Sequence, residues 1–550
     1  MQSSRRHKTL RDFLKDEYET YFSCYIGFAA GRLCCDEQSD PFNKQSKLVI
    51  ELQKNEQWWG GCVADGLLMP FGSSDFSADL YANTKLNQAQ PLLISNHGRF
   101  VWSEEPFSFA FEKGTLTVES RTGSILKGRN GTTLADVHAY VTKKFFPHDG
   151  RIPEPLLFTH PQYNTWIELT YDQRQTRIEK YARDIIANDF PPGVLMIDDN
   201  WQQDYGTWDF SRSKFEDPKQ MMRSLHGMGF KVMVWLCPFV SPDSETFRHL
   251  ERNGYVLKDK EGKTYISKWW NGYSALLDLT NPEAAQWFTD KLNYLVTEYG
   301  VDGFKLDGGD ANYYENVTSH KQVNPNAHSE IWAELGTRFP LNEYRACWKA
   351  ASLPLAQRLH DKRHNWNDLN KLIPESVAMG LMGYIFVCPD MIGGGSFRSF
   401  GPGKTIDQQL VVRSAQCSAL MPMMQFSVAP WRILDDKNLA ICLEMAKLHE
   451  KMGPEILAMA RKSAITGQPI IRHMEYAYPG QGYAKIKDQF MLGDSILVAP
   501  VLEKDKVSRT IVFPKGTWIA TNGETVTGPC KKQVPAPIER LPWYRLKKAR

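Results

Sequence analysis

The stretch Val301-Asp302-Gly303-Phe304-Lys305-Leu306-Asp307-Gly308-Gly309 reads as a short buried β-strand that stops on a carboxylate and two glycines. Lys305 and Asp307 are two positions apart, so both side chains leave the same face of the strand. An ammonium beside a carboxyl favours the ionised form, which is what an attacking carboxylate needs at neutral pH. The glycine pair lets another molecule approach the backbone closely. Two further apolar runs end the same way: Gly193-Val-Leu-Met-Ile-Asp198-Asp199 and Tyr384-Ile-Phe-Val-Cys-Pro-Asp390. One strand-end aspartate can be a helix cap or a turn residue. Three apolar strands with the same ending point to acids gathered on one rim.

Outward from these runs, β-like and α-like segments alternate. Candidate strands cover Gly193–Asp198, Lys231–Val240, Val301–Asp307, Leu341–Ala346, Tyr384–Asp390 and Leu420–Ser427, and helices cover Gln175–Asn188, Pro282–Tyr299 and Leu439–Lys451. With no glycine-rich dinucleotide fingerprint, this predicts an α/β fold, a (β/α)8 TIM barrel over residues 151–465, whose strand C-termini face the active site. Before it, Lys47-Leu-Val-Ile-Glu-Leu, Pro91-Leu-Leu-Ile-Ser, Arg99-Phe-Val-Trp-Ser and Gly114-Thr-Leu-Thr-Val alternate between turn residues and predict an N-terminal β-sandwich within residues 1–150. After about Thr466 the strand-turn rhythm returns, and residues 466–550 are expected to form a smaller C-terminal β-sandwich.

At 550 residues the chain is long enough for about three to five domains. Lys plus Arg number 66 against 63 Asp plus Glu, and the net charge of +3 gives no electrostatic reason to expect nucleic acid or an anionic membrane as partner. The 16 Trp, 22 Tyr and 28 Phe suit both core and sugar stacking. The 14-residue apolar run Ser376–Pro389 is too short to span a bilayer and reads as buried helix and strand. Acids before Tyr21–Gly31 and the interrupting Arg32 argue against a signal segment there. The 10 cysteines, Cys34 and Cys35 adjacent among them, show neither metal-ligand spacing nor a disulfide framework. Gly403-Lys404-Thr405 lacks the first glycine of a phosphate loop, Arg398 standing in its place, and no HExxH or nucleophile elbow around Ser396 is present. Sequons at Asn130 and Asn316 are usable only in a secretory lumen, and the compartment stays open.

Asp302-Gly-Phe-Lys-Leu-Asp307 resembles the nucleophile strand of glycoside hydrolase family 31, whose members cleave α-linked sugars with retention. Trp58-Trp-Gly-Gly and Gly98-Arg-Phe-Val-Trp-Ser resemble the family's N-terminal sandwich, and Ile197-Asp198 its second barrel strand. Lys268-Trp-Trp-Asn-Gly followed by Leu277-Asp-Leu-Thr-Asn-Pro is similar to its strand-three region. Ser495-Ile-Leu-Val-Ala-Pro-Val-Leu and Phe513-Pro-Lys-Gly-Thr-Trp518 are similar to its C-terminal sandwich. The likeness runs from about residue 50 to about 548, and the first sandwich is expected to be abbreviated relative to the family.

The resemblance implies Asp307 as nucleophile and Asp361 as acid/base. In the family a strand-end Arg lies sixteen positions before the acid/base and a Trp five after it. Arg345, Asp361 and Trp366 satisfy both spacings and Asp368 neither, while His360 stands where the family usually has Gly. Asp198, Asp199, Trp235, Trp270, Lys305, Arg345 and Asp390 are expected around the glycone. Asp79, in Ser77-Ala-Asp79-Leu-Tyr81, is expected to reach over the barrel mouth.

Pro389-Asp-Met-Ile-Gly-Gly, Lys268-Trp-Trp-Asn-Gly and Met421-Pro-Met-Met-Gln-Phe-Ser-Val-Ala-Pro-Trp-Arg432 resemble the family's α-galactosidase-like branch. Family α-glucosidases carry Arg-x-His where this chain has Gln425-Phe-Ser427. The implied activity is exo-hydrolysis of terminal α-galactosides in an oligosaccharide or glycoconjugate, by two carboxylates without metal or organic cofactor. The alternatives are an α-glucosidase, or a catalytically silent glycan binder that keeps Trp235, Trp270 and Trp431 as stacking surfaces. Homo-oligomerisation stays open.

Overall fold

The run Val194–Ile197 is wholly buried, as is Gly303–Leu306, and continuous burial is the mark of parallel strands covered on both faces. In the computed structural model, described for residues 46–401 and 403–547, these runs belong to an eight-stranded parallel barrel. Its strands are β1 (Gln162–Asn164), β2 (Val194–Ile197), β3 (Lys231–Leu236), β4 (Gly303–Leu306), β5 (Leu341–Tyr344), β6 (Gln357–Arg358), β7 (Val387–Cys388) and β8 (Gln425–Phe426). β1 to β7 pair in that order, and β8 pairs with β1 on its other side. Cys34, Cys35 and the run Tyr21–Gly31 lie outside the described residues.

Gly303 shows how tightly the barrel closes: a Cβ there would lie 1.9 Å from the Leu341 carbonyl oxygen on β5. The surrounding helices start where capping chemistry allows. Asp217 accepts from the Gln220 amide ahead of Pro218–Gly227, and Asn281 accepts from Glu283 ahead of Pro282–Tyr294, each helix with proline in its first turn.

Several elements differ in length from the sequence expectation. The strand expected over Tyr384–Asp390 is Val387–Cys388, and that over Leu420–Ser427 is Gln425–Phe426. The helix from Pro282 gives way to a π-helical turn, Leu295–Tyr299, that ends on left-handed Gly300. The helix expected over Leu439–Lys451 runs from Asp436 to Thr466, straight through Pro454. Between β3 and β4 a three-stranded antiparallel sheet is inserted, built from Phe239–Val240, Gly272–Leu276 and Ile266–Trp269.

Ahead of the barrel, two antiparallel sheets form a sandwich. One holds Lys47–Glu51, Thr115–Ser120, Phe107–Glu112 and Phe76–Asp79; the other holds Trp58–Cys62, Gln88–Ser95, Arg99–Ser103 and Ile125–Arg129. The second sheet continues into the barrel, because Cys347–Trp348, just after β5, pairs in parallel with Gln88–Ala89. The Gln88 side-chain amide crosses the same seam and donates to the carbonyls of Arg345 (2.8 Å) and Arg358 (2.9 Å).

Beyond the barrel lies a six-stranded antiparallel sheet, residues 471–546, whose long strands Ser508–Ala520 and Thr525–Pro535 break register between Phe513 and Gly516. A bulge bends a strand, and residues on both sides of it, Ile511, Phe513 and Trp518, share one core with Tyr544. Arg413, fully buried on the helix Gln408–Ser418, fastens this sheet to the barrel by donating to the carbonyls of Ala536 (2.8 Å), Lys506 (3.1 Å) and Pro537 (3.3 Å). Arg413→Met should strand those carbonyls and remove about 3 kcal/mol of stability, since hydrogen bonds to a charged group are worth about 1.5–3 kcal/mol each. Thermal unfolding of the variant should show a Tm lower by several degrees.

Candidate active site

The ends of β2, β3, β4 and β5 converge on Asp307. Its Oδ1 accepts from Arg345 Nε (2.7 Å) and from the Gly308 amide (2.9 Å), and its Oδ2 accepts from the Trp235 indole nitrogen (3.1 Å). Arg345 is in turn gripped by Asp310, through Nη1 at 3.0 Å and Nη2 at 2.6 Å. Burial alone would raise the Asp307 pKa, but the charges of Arg345, Lys305 and Arg358 outweigh it and hold the carboxyl well below the usual range. The two glycines that follow have separate reasons. Gly308 has φ of 71°, and a Cβ on Gly309 would lie 2.1 Å from the Trp332 ring.

Lys305, buried beside Asp307, gives its ammonium to Asp198 Oδ2 at 2.7 Å instead of to Asp307. Asp199 receives the Tyr205 hydroxyl (2.9 Å) and the Asn271 amide (2.7 Å). Burial, then the charge of Asp198, pushes Asp199 up to about 7. Asn271 sits at the turn of the inserted hairpin and also accepts from Tyr171 (2.9 Å), so the hairpin is clamped to the rim. This sets Trp270 against Gly308, its ring 5.7 Å from the Arg345 guanidinium and 45% exposed. Trp235 is 2% exposed, and what it presents to Asp307 is its N–H. Trp431 packs on Tyr181 and Phe190, outside this group.

Asp361 enters on the loop after β6. Its Oδ1 accepts from Arg358 Nη1 at 2.8 Å, and its side chain is 31% exposed. Burial raises its pKa, but Arg358, His360 and Lys305 bring it below the ordinary value against the opposing charge of Asp307. Asp368 is occupied elsewhere, accepting from the Arg363 amide and from Lys371. Glu375 pairs with Lys362.

Two of the acids expected around the glycone have their carboxylates engaged by the protein's own groups. Asp390, expected to face the glycone, is 1% exposed, with Oδ1 on Arg358 (3.0 Å) and Oδ2 on the amides of Lys362 and Gly395. Burial and then the charge of Asp361 raise its pKa. The Asp79 carboxylate is engaged within the sandwich. Asp79 closes the strand Phe76–Asp79 and its carboxylate pairs with Arg121 (2.5 Å), whose guanidinium also covers Tyr81. The segment after it does reach the mouth, through the Leu86 carbonyl, which accepts from Arg345 Nη1 at 2.9 Å.

Asp310, Glu343, Arg358, Tyr205 and Asn271 are site residues that sequence reasoning missed. The only signal in the sequence was proximity to the quoted motifs: Asp310 follows the glycine pair, and Asn271 belongs to Lys268-Trp-Trp-Asn-Gly. Among the described residues no group of three or more His, Cys, Asp or Glu side chains is placed to hold a metal ion.

The fold and the site define a (β/α)8 barrel flanked by β domains, with buried acids and their cationic partners gathered at its C-terminal rim. The family model for the glycosyl hydrolases family 31 TIM-barrel domain matches residues 160–454, and that for the family's C-terminal domain matches residues 467–547. The chain belongs to glycoside hydrolase family 31. It is 33% identical over 411 residues to the myogenesis-regulating glycosidase of Mus musculus, covering 72% of this chain and 57% of that protein. It is 25% identical over 438 residues to alpha-glucosidase 2 of Bacillus thermoamyloliquefaciens, covering 74% and 54%. The chain thus spans a little over half the length of these two relatives. The solved Flavobacterium johnsoniae GH31 dextranase, complexed with glucose, superposes with a TM-score of 0.81 at 21% identity, covering 94% of this chain and 68% of that one.

Proposed function

We propose that the protein is a retaining, exo-acting α-glycosidase that removes terminal α-linked hexose, α-galactose in preference to α-glucose. The observation that carries this reading is the setting of Asp307. Its Oδ1 accepts from two N–H groups, whereas its Oδ2 accepts from the Trp235 indole N–H and keeps a lone pair for attack. In the first step Asp307 Oδ2 bonds to the anomeric carbon as the glycosidic C–O bond breaks, and Asp361 gives its proton to the departing oxygen. In the second, Asp361 takes a proton from water as that water's oxygen bonds to the anomeric carbon and releases Asp307. Retention in this manner needs the two carboxyls about 5–5.5 Å apart.

Galactose is supported by β8. Gln425 turns its amide to Glu343 Oε2 (2.6 Å) and Gln162, and the Ser427 hydroxyl accepts from the Ile167 amide (2.7 Å). Both side chains are therefore engaged inside the barrel, where the family's α-glucosidases carry an Arg and a His. A pocket that hydrogen-bonds one hydroxyl in a fixed direction rejects the epimer, because the wrong sugar leaves buried groups unpaired. With matched aryl α-galactoside and α-glucoside, kcat/KM is expected to favour the galactoside by about tenfold or more, about 1.4 kcal/mol. The first-released sugar is expected to be the α-anomer by NMR. A preference for glucoside would overturn the sugar assignment, and a β-anomer the mechanism.

A further inference from the structure

Arg358 ends β6 and is 1% exposed, with one positive charge among three carboxylates. Its Nε donates to Glu343 Oε1 (3.0 Å), and its Nη1 faces Asp361 Oδ1 (2.8 Å), Asp390 Oδ1 (3.0 Å) and the Leu359 carbonyl (2.9 Å). Glu343 is fixed from its other oxygen by Gln425, and Asp390 by the amides of Lys362 and Gly395. Gly395 makes this convergence possible, since a Cβ there would lie 2.7 Å from Asp390 Oδ1 and 3.0 Å from Asp361 Cγ. Of the three acids, only Asp361 opens toward solvent; Glu343 and Asp390 are 1% exposed and bonded inward.

We propose that Arg358 is the positioning residue for the proton transfers of Asp361, aiming that carboxyl and stabilising its ionised form, and that Glu343 and Gln425 influence the reaction only through Arg358. The inference rests on Asp361 being the acid/base. The groups that face Asp361 are Arg358 from β6, His360 beside it, Lys305 and Asp307 from β4, and Asp390 from β7. Arg358 is the cation in direct contact with the carboxylate. Without it, Asp361 meets the negative charges of Asp307 and Asp390 and retains its proton to higher pH.

The full chain is compared as wild type, as Arg358→Lys, and as Arg358→Met combined with Glu343→Gln, which removes one buried carboxylate along with the guanidinium so that fewer buried charges are left unpaired. Infrared difference titration, each protein against its own Asp361→Asn derivative, reads the ionisation of Asp361 without any substrate. The midpoint is expected to rise by about one unit or more in the double variant, tenfold in proton affinity, and by less with lysine. If the double variant does not fold, Arg358→Lys decides by the same readout, because lysine keeps the charge but cannot span Glu343, Asp361 and Asp390 together. In turnover assays the alkaline limb of kcat/KM should move with the midpoint. An unchanged midpoint in the folded variants overturns the role of Arg358, whatever the activity. A shifted midpoint in a protein that turns over no α-glycoside upholds the hold of Arg358 on the carboxyl and overturns the glycosidase reading instead.

Discussion

Asp307→Asn is expected to abolish glycoside turnover while leaving the fold in place. Asparagine preserves the shape of the side chain but is a poor nucleophile, so the covalent glycosyl intermediate cannot form. Removing the nucleophile of a concerted catalytic group costs roughly four orders of magnitude or more in kcat, or about 5.5 kcal/mol of transition-state stabilisation. The fold should tolerate the change because Arg345 keeps its two-point grip on Asp310, so no buried guanidinium is left without a carboxylate. Circular dichroism and Tm close to wild type, with no burst of aglycone from an activated aryl glycoside, is the expected pair of results. A variant with near wild-type kcat would remove Asp307 from the nucleophile's role.

Asp361→Ala should divide substrates by leaving group. A departing alcohol or sugar needs a proton, and a positioned acid contributes about 10²–10⁴-fold, so disaccharides should lose about that much in kcat/KM. An activated nitrophenolate needs little protonation and should lose far less. Azide, which requires no base, should restore the second step and yield a glycosyl azide of retained configuration. The pH profile of the wild type follows from the same two acids. Asp307, held low, stays ionised far into the acid range, which leaves the acid limb shallow. The proton needed by Asp361 belongs jointly to Asp361 and Asp390, two carboxylates on one Arg358 nitrogen. As pH rises that proton is lost, because Arg358 favours the ionised form, so kcat/KM should peak on the acid side of neutrality. In Asp361→Ala the alkaline limb should disappear for the activated substrate. Equal losses on both substrate types would mean that Asp361 is not the acid.

The acids at the ends of β2 and β4 were legible in the sequence because their strands are apolar and stop abruptly. β1 and β6 were not, since Gln162–Asn164 and Gln357–Arg358 are two or three residues long and carry polar side chains that point into the barrel. Such strands have neither the length nor the hydrophobicity that marks a strand in a linear reading. The same applies to the charge pairing. The neighbour two positions away suggested that Lys305 serves Asp307, yet Lys305 reaches Asp198, 107 residues away, and Asp307 receives Arg345, 38 residues away. The pairing of Asp79 was hidden because an acid in a loop motif does not reveal which way its strand faces. Its partner Arg121 lies 42 residues on. Asp390 showed the right strand end but gave no sign that backbone amides and Arg358 would consume both its oxygens.

The seam at Gln88 bears on how this protein could be dissected. One amide of the sandwich holds the main chain behind both guanidinium carriers, and Asn87 beside it accepts from the His360 amide (2.8 Å), one residue before Asp361. A barrel excised on its own would keep every acid and every arginine, yet lose the outside brace that keeps them in register. The smallest portion fit for grafting, permutation or directed evolution therefore includes the sandwich, and libraries that recombine parts of this protein should leave the junction between Gln88 and β6 uncut.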